Sequence, residues 1–169
     1  MIHIYHGDGK GKTTAAAGLA VRASGAGLRV LFAQFFKDGS SSEIAALASL
    51  PGITTDRPSL HYGMFRRMTE EQKSEIAENY RAFLEDVAAR AGDFDLIVLD
   101  EAVSASRYGM IPAELLLGFL RAEGGRREIV LTGRNPLPEL IEAADYVTEM
   151  RKEKHPFDRG VTARKGIEY

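Results

Sequence analysis

The residues best placed by type and spacing to do chemistry are His6-Gly7-Asp8-Gly9-Lys10-Gly11-Lys12-Thr13-Thr14. They follow the apolar run from Ile2 to Tyr5 and open an alanine-rich segment with helical character. Glycines let a backbone turn tightly and approach a polyphosphate, while the N–H groups at a helix start present the positive end of the helix dipole to the anion. Lys12 adds a point charge and Thr13 a hydroxyl suited to magnesium. The phosphate contacts expected here run over Gly7, Asp8, Gly9, Lys10, Gly11, Lys12, Thr13 and Thr14, with backbone donors from Gly9 to Thr13. The pattern G-x-x-x-x-G-K-[ST] would place its first glycine at position 6, where this chain has His6, so the loop is a variant. A dinucleotide fingerprint, G-x-G-x-x-G, is excluded because position 12 is Lys12.

A second group is Asp100-Glu101, delivered by the apolar run Phe94 to Leu99. A carboxylate at the end of a buried strand beside a phosphate loop binds magnesium directly or through water. Thr13 and Glu101 are the metal candidates, with Asp100 nearby; the competing use of the pair is to cap the next helix. Thr132-Gly133-Arg134 ends another apolar run, where Arg134 either contacts a phosphate or is an exposed loop arginine. His61-Tyr62-Gly63-Met64-Phe65-Arg66-Arg67 mixes aromatic and basic residues with no clean period and reads as a functional loop. His3, His6, His61 and His155 lack metal-site spacing, and the absence of cysteine excludes disulfides and thiolate metal sites.

These groups need a scaffold of alternating strands and helices. The first helix runs from about Lys12 to the Gly25-Ala26-Gly27 stop, and Arg29 to Phe36 reads as a strand covered on both faces. A short helix from Ser42 to Pro51 and a strand from Ile53 to Asp56 follow. Thr69 and Gln72 have capping-box spacing before an apolar stripe through Ile76, Tyr80, Phe83, Leu84, Val87 and Ala91. Pro112 suits the first turn of a leucine-rich helix, Glu128 to Leu131 is a strand, Pro138 opens a short helix, and Tyr146 to Met150 is a late strand. This alternation predicts a three-layer, mostly parallel α/β sheet of the P-loop NTPase type. The chain has 169 residues, 44% of them hydrophobic, which suits one domain over residues 1–169. A net charge of -2 argues against broad attraction to nucleic acid. No run reaches the ~20 apolar residues of a membrane span, and no signal-peptide pattern follows Met1, so a cytoplasmic protein is expected.

With these residues in place, the chain resembles the P-loop ATP:corrinoid adenosyltransferases over nearly its whole length. The resemblance rests on Gly7 to Ala16, Arg22-Ala23-Ser24-Gly25, Gln34-Phe35, Leu99-Asp100-Glu101, Thr132-Gly133-Arg134, Lys154 to Gly160 and Gly166-Ile167-Glu168-Tyr169. It implies transfer of the 5′-deoxyadenosyl group of ATP to the cobalt(I) of a reduced corrinoid, with release of triphosphate. It further implies magnesium, ATP contacts from Arg22 and Arg134, corrinoid contacts from Tyr62 and Phe65, a homodimer, and an electron donor such as a reduced flavoprotein. Lys12, Thr13 and Glu101 would carry catalysis. Members of the family commonly have a segment before the first strand that helps cover the corrinoid, whereas here Met1 leads directly into that strand.

Three other classes share parts of this pattern. A P-loop ATPase or kinase would act at the terminal phosphate and needs a base or water-positioning residue. A RecA-like nucleic-acid motor needs a basic or aromatic strand-binding surface, at which only Arg66-Arg67 hints. A noncatalytic module would bind ATP without turnover.

Overall fold

The computed structural model describes residues 1–63 and 65–168; Met64 and Tyr169, named above, lie outside the described residues. Six strands form one sheet: β1 (Ile2–His6), β2 (Val30–Gln34), β3 (Ile53–Asp56), β4 (Leu96–Asp100), β5 (Glu128–Gly133) and β6 (Tyr146–Glu149). Their order is β3-β2-β4-β5-β1-β6, and all five pairings are parallel. Every residue of β2 and β4 is buried, as parallel strands covered on both faces require.

Alternate residues of each strand supply the two faces. Val30, Phe32, Val98 and Val130 pack with Ala16, Ala20 and Ala23 of α1 (Lys12–Gly25) and Leu47 of α2 (Ser42–Ala48). The alanines recur at a helical interval and let α1 lie close on the sheet. Leu31, Ala33, Ile97, Leu99, Ile129 and Leu131 face the other way. They meet α3 (Glu70–Ala89), α4 (Ala102–Arg107), α5 (Ala113–Glu123) and Leu140 of α6 (Pro138–Ala143). The result is the three-layer parallel architecture that the alternating pattern predicts.

Local signals hold where they have a hydrogen-bonding cause. Thr69 accepts from the Gln72 N–H and Gln72 returns the bond to the Thr69 N–H, completing the capping box of α3. Pro112 stands one residue before α5 rather than in its first turn. β2 is shorter than the run Arg29 to Phe36 predicts: Arg29 turns out to pair with Asp95, and Phe36 leaves extended geometry with φ 54°.

Candidate active site

The carboxyl ends of β2, β4, β5 and β1 converge on one edge of the sheet, where ligands of open parallel sheets bind. Phe36 (φ 54°), Glu101 (φ 62°) and Asn135 (φ 50°) are the non-glycine residues with left-handed backbone among those described. All three lie just past the ends of the adjacent strands β2, β4 and β5. Such conformations hold only where surrounding structure enforces them, and they concentrate at functional sites.

The phosphate loop follows β1. His6 is still paired strand, with its carbonyl accepting the Met150 N–H at 2.7 Å, so the turn that needs glycine begins at position 7 and the variant first position is accounted for. Gly7 has φ 113°, and a Cβ on either Gly7 or Gly9 would stand 2.5 Å from the Met150 carbonyl oxygen. Gly9 donates its own N–H to that carbonyl at 2.7 Å. The donors offered to an anion therefore start at Lys10 rather than at Gly9. The first intrahelical bond of α1 runs from the Ala15 N–H to the Gly11 carbonyl, so the N–H groups of Lys12, Thr13 and Thr14 precede it and face the loop's interior. Lys12 is buried, its ammonium donating to the carbonyls of Gly7 and Gly9 at 2.8 Å each. Burial, aided by Arg134, lowers its pKa, against the pull of Glu101, Asp8 and Asp100.

Asp100 is fully buried at the end of β4 and accepts from Thr13 Oγ1 (2.9 Å), Thr132 Oγ1 (2.6 Å) and Gln34 Nε2 (3.1 Å). Gln34 Nε2 also reaches Glu43 Oε1 at 3.2 Å. Burial raises the pKa of Asp100, with the Glu101 charge adding to the rise and the three hydrogen bonds opposing it. Glu101 occupies the N-cap position of α4, yet its side chain makes no capping bond; its backbone N–H is held by Thr132 Oγ1 at 2.9 Å. The capping reading of the acidic pair therefore fails for Glu101, a half-buried residue that lines two cavities. No group of three or more His, Cys, Asp or Glu among the described residues forms an all-protein metal cage. Thr13, Asp100 and Glu101 could still supply a few hard oxygen donors to a magnesium ion whose shell phosphates and water would complete.

Of the cavities at this edge, two are lined by both Glu101 and Arg134. A cleft of about 260 Å³ is lined by residues 8–14 of the loop and α1 start, by Glu101 and Arg134, and by His155, Phe157, Val161, Ile167 and Glu168 of the C-terminal segment. That segment is tied to the loop through the Lys152 N–H on Asp8 Oδ1 (3.1 Å), a bond that also holds the Asp8 carboxyl below the usual range. The second cavity, about 570 Å³, is lined by Phe36, Phe65 and Tyr108 with His61, Arg66 and Arg67, and again by Glu101 and Arg134. Phe65 stacks on Tyr108 with centroids 4.5 Å apart, and Phe36 meets both rings edge-on.

The structure thus brings Gly9 to Thr14, Glu101 and Arg134 together around one cleft and puts Phe65 on the adjoining wall. Arg22 stands apart from this group: it lies exposed in the last turn of α1, ten residues beyond Lys12 and so about 15 Å along the helix, outside the residues lining the cleft. Tyr62 also stands apart: its hydroxyl donates to Glu75 Oε2 at 2.5 Å, and it is not among the residues lining the aromatic cavity. Sequence reasoning missed Gln34 and Thr132 as partners of Asp100, and Phe36 and Tyr108 as cavity walls.

Comparison with known proteins places the whole chain in one family. Residues 1–169 match the family model described as ATP:corrinoid adenosyltransferase BtuR/CobO/CobP. The corrinoid adenosyltransferase of Pseudomonas aeruginosa is 36% identical over 175 residues, covering 100% of this chain and 83% of the relative. Corrinoid adenosyltransferase CobA of Salmonella typhimurium is 32% identical over 170 residues, covering 100% and 85%. Among solved structures, EssC (ATPases 2 and 3) from Geobacillus thermodenitrificans superposes with a TM-score of 0.52 at 15% identity, over 98% of this chain and 34% of that one, a likeness of fold. A variant phosphate loop, a buried aspartate on its threonine, an adjoining aromatic cavity and a match over the whole length lead to one conclusion: the chain belongs to the ATP:corrinoid adenosyltransferase family.

Proposed function

We propose that this chain transfers the 5′-deoxyadenosyl group of ATP to the cobalt(I) of a reduced corrinoid. A Co–C bond forms at C5′, the C5′–O bond breaks, and triphosphate leaves with the bonding electrons. The observation that carries this reading is the wall shared by the two cavities. Glu101 and Arg134 line both the phosphate-loop cleft and the aromatic cavity, so a nucleotide in one and a flat macrocycle in the other would meet at that wall.

Cobalt(I) is itself a strong nucleophile, so the protein's work is positioning and leaving-group stabilisation. The N–H groups of Lys10 to Thr14 and the Lys12 ammonium would hold the triphosphate, with Arg134 beside the reacting carbon. Thr13, Asp100 and Glu101 would hold magnesium, which supplies charge neutralisation of the phosphates. Gln34 and Thr132 keep the Asp100 carboxylate oriented toward Thr13. Phe36, Phe65 and Tyr108 would offer an apolar face to the corrin and keep water from it.

A second copy of the chain, a one-electron donor such as a reduced flavoprotein, and a cytoplasmic setting belong to the same proposal. The exposed edge strand β6, with Tyr146 and Val147 at its surface, is compatible with a partner chain. No helix among the described residues is long and apolar enough to cross a membrane. Product analysis with MgATP and chemically reduced cobalamin tests the reading: equimolar triphosphate and alkylated corrinoid are expected, and ADP as the product would overturn it.

A further inference from the structure

Gln34 stands between two carboxylates. It ends β2 in register with Asp100 of β4 and is 1% exposed. One nitrogen, Nε2, donates to Asp100 Oδ2 at 3.1 Å and to Glu43 Oε1 at 3.2 Å. Its Oε1 is buried and finds no donor among the described residues. The two ends of a carboxamide are nearly the same size, so hydrogen bonds decide which one faces a neighbour. Here both deciding bonds lie on the nitrogen side, each to a carboxylate, and together they outweigh the cost of an orphaned buried carbonyl.

Glu43 comes from the first turn of α2, beyond the loop that leaves β2, and is half-buried. Without its carboxylate, one Nε2 hydrogen would join Oε1 as an unmet buried group, and the amide would rotate in search of other partners. That rotation takes the donor away from Asp100. Thr13 and Thr132 would remain, but both donate to Oδ1, whereas Gln34 is the donor on Oδ2. We infer that Glu43 is a positioning residue of the metal site: it locks the Gln34 amide with its nitrogen toward Asp100 and so fixes the plane of that carboxylate. The inference rests on the magnesium role proposed above for Asp100. Two plainer uses of Glu43 compete with it. An acid in the first turn of α2 complements the helix dipole. Glu43 also lines a cavity of about 500 Å³ with Lys10, Thr13 and Thr14, from which its charge alone could act on a cation.

The test measures binding by calorimetry with no corrinoid present, for MgATP and for ATP with a metal chelator. The ratio of the two affinities reads the metal's share. Glu43→Ala should lower that ratio by about three- to tenfold, the worth of a single hydrogen bond, and leave metal-free ATP affinity unchanged. Glu43→Gln should keep most of the ratio, because its amide oxygen still accepts from Gln34. In a Gln34→Leu background Glu43→Ala should change nothing further, since a residue acting through another is not additive with it. An unchanged ratio with a lowered melting point would leave Glu43 to the helix dipole and overturn the proposal. So would equal losses in Glu43→Gln and Glu43→Ala, which mark a charge acting directly, additive losses in the double variant, or a loss shared by metal-free ATP. Should Gln34→Leu not fold, the comparison of Glu43→Gln with Glu43→Ala decides alone. An Asp100→Asn variant whose ratio equals the wild type's would instead bring down the magnesium reading, and this inference with it.

Discussion

Thr13 Oγ1 donates to Asp100 Oδ1 at 2.9 Å, tying the first turn of α1 to the carboxyl end of β4. The bond joins residues 87 positions apart and fixes where a cation can sit between the phosphate loop and the buried carboxylate. Because Thr132 and Gln34 also donate to Asp100, its charge is oriented from three elements.

Burial raises the Asp100 pKa, so its carboxylate protonates at a higher pH than an ordinary aspartate. MgATP affinity should therefore fall on the acid side above the usual carboxylate range. Asp100→Asn should weaken binding and remove that limb. In the metal-free protein the sign for stability is opposite. The folded state holds the proton more tightly, so the group's contribution is complete below the unfolded value of about 3.8 and is lost as pH rises through the folded value. Calorimetric titration of MgATP and urea unfolding across pH 4 to 8 check both. A wild-type limb at the ordinary aspartate pKa would remove Asp100 from the metal's surroundings.

Lys12→Ala should weaken ATP binding by roughly 10- to 100-fold, the value of one or two hydrogen bonds to a charged group. It also leaves the Gly7 and Gly9 carbonyls without the ammonium that now bridges them. Titration of ATP into the variant reads the effect, and unchanged affinity with unchanged turnover takes Lys12 out of the site.

The glycines separate close approach from simple composition. Gly9→Ala drives a Cβ to 2.5 Å from the Met150 oxygen and 2.9 Å from the Arg151 carbonyl carbon, so backbone must move; a loss of about 1–3 kcal/mol is expected, together with nucleotide binding. Gly18→Ala, inside α1 with no atom within 4 Å of the new Cβ, should stabilise by about 0.5–1 kcal/mol. Thermal melts should move in opposite directions, by about 2–4 °C per kcal/mol for a chain of this size.

An apolar ring against the lower corrin face excludes water and the axial ligand, which makes cobalt(II) easier to reduce. Phe65→Ala combined with Tyr108→Ala should slow adenosylation from cob(II)alamin at least tenfold more than from pre-reduced cob(I)alamin, with ATP affinity near wild type. Tyr62→Ala should cost less than the pair. Parallel rate losses for the two cobalt states would show that the rings only shape binding.

Much of this was legible in the sequence, for physical reasons. Apolar runs bounded by glycine and proline mark the strands, and Lys12, Thr13 and Asp100-Glu101 mark the candidate site, because a phosphate cradle and a strand-end carboxylate are local devices. What the sequence hides is long-range. Five of the six residues of α4 are buried, so the helix has no amphipathic stripe to reveal its extent. Phe36 and Tyr108 are remote in sequence from Phe65 and become its neighbours only through folding. Position in a motif does not convey that the helix pitch sets Arg22 about 15 Å from Lys12, or that Tyr62 donates to Glu75.

The strand order places β1 between β5 and β6. Because synthesis runs from the amino terminus, the strand that feeds the phosphate loop has no sheet partner until residues from Glu128 onward leave the ribosome. The loop's own brace, the Met150 carbonyl on the Gly9 N–H, comes later still. β2 and β3, and then β4 once Asp100 has emerged, can pair while β1 still waits for β5, so closure of the sheet depends on long-range contacts. A nascent chain would thus complete the brace of its phosphate loop only after both β5 and Met150 have emerged, near the end of synthesis.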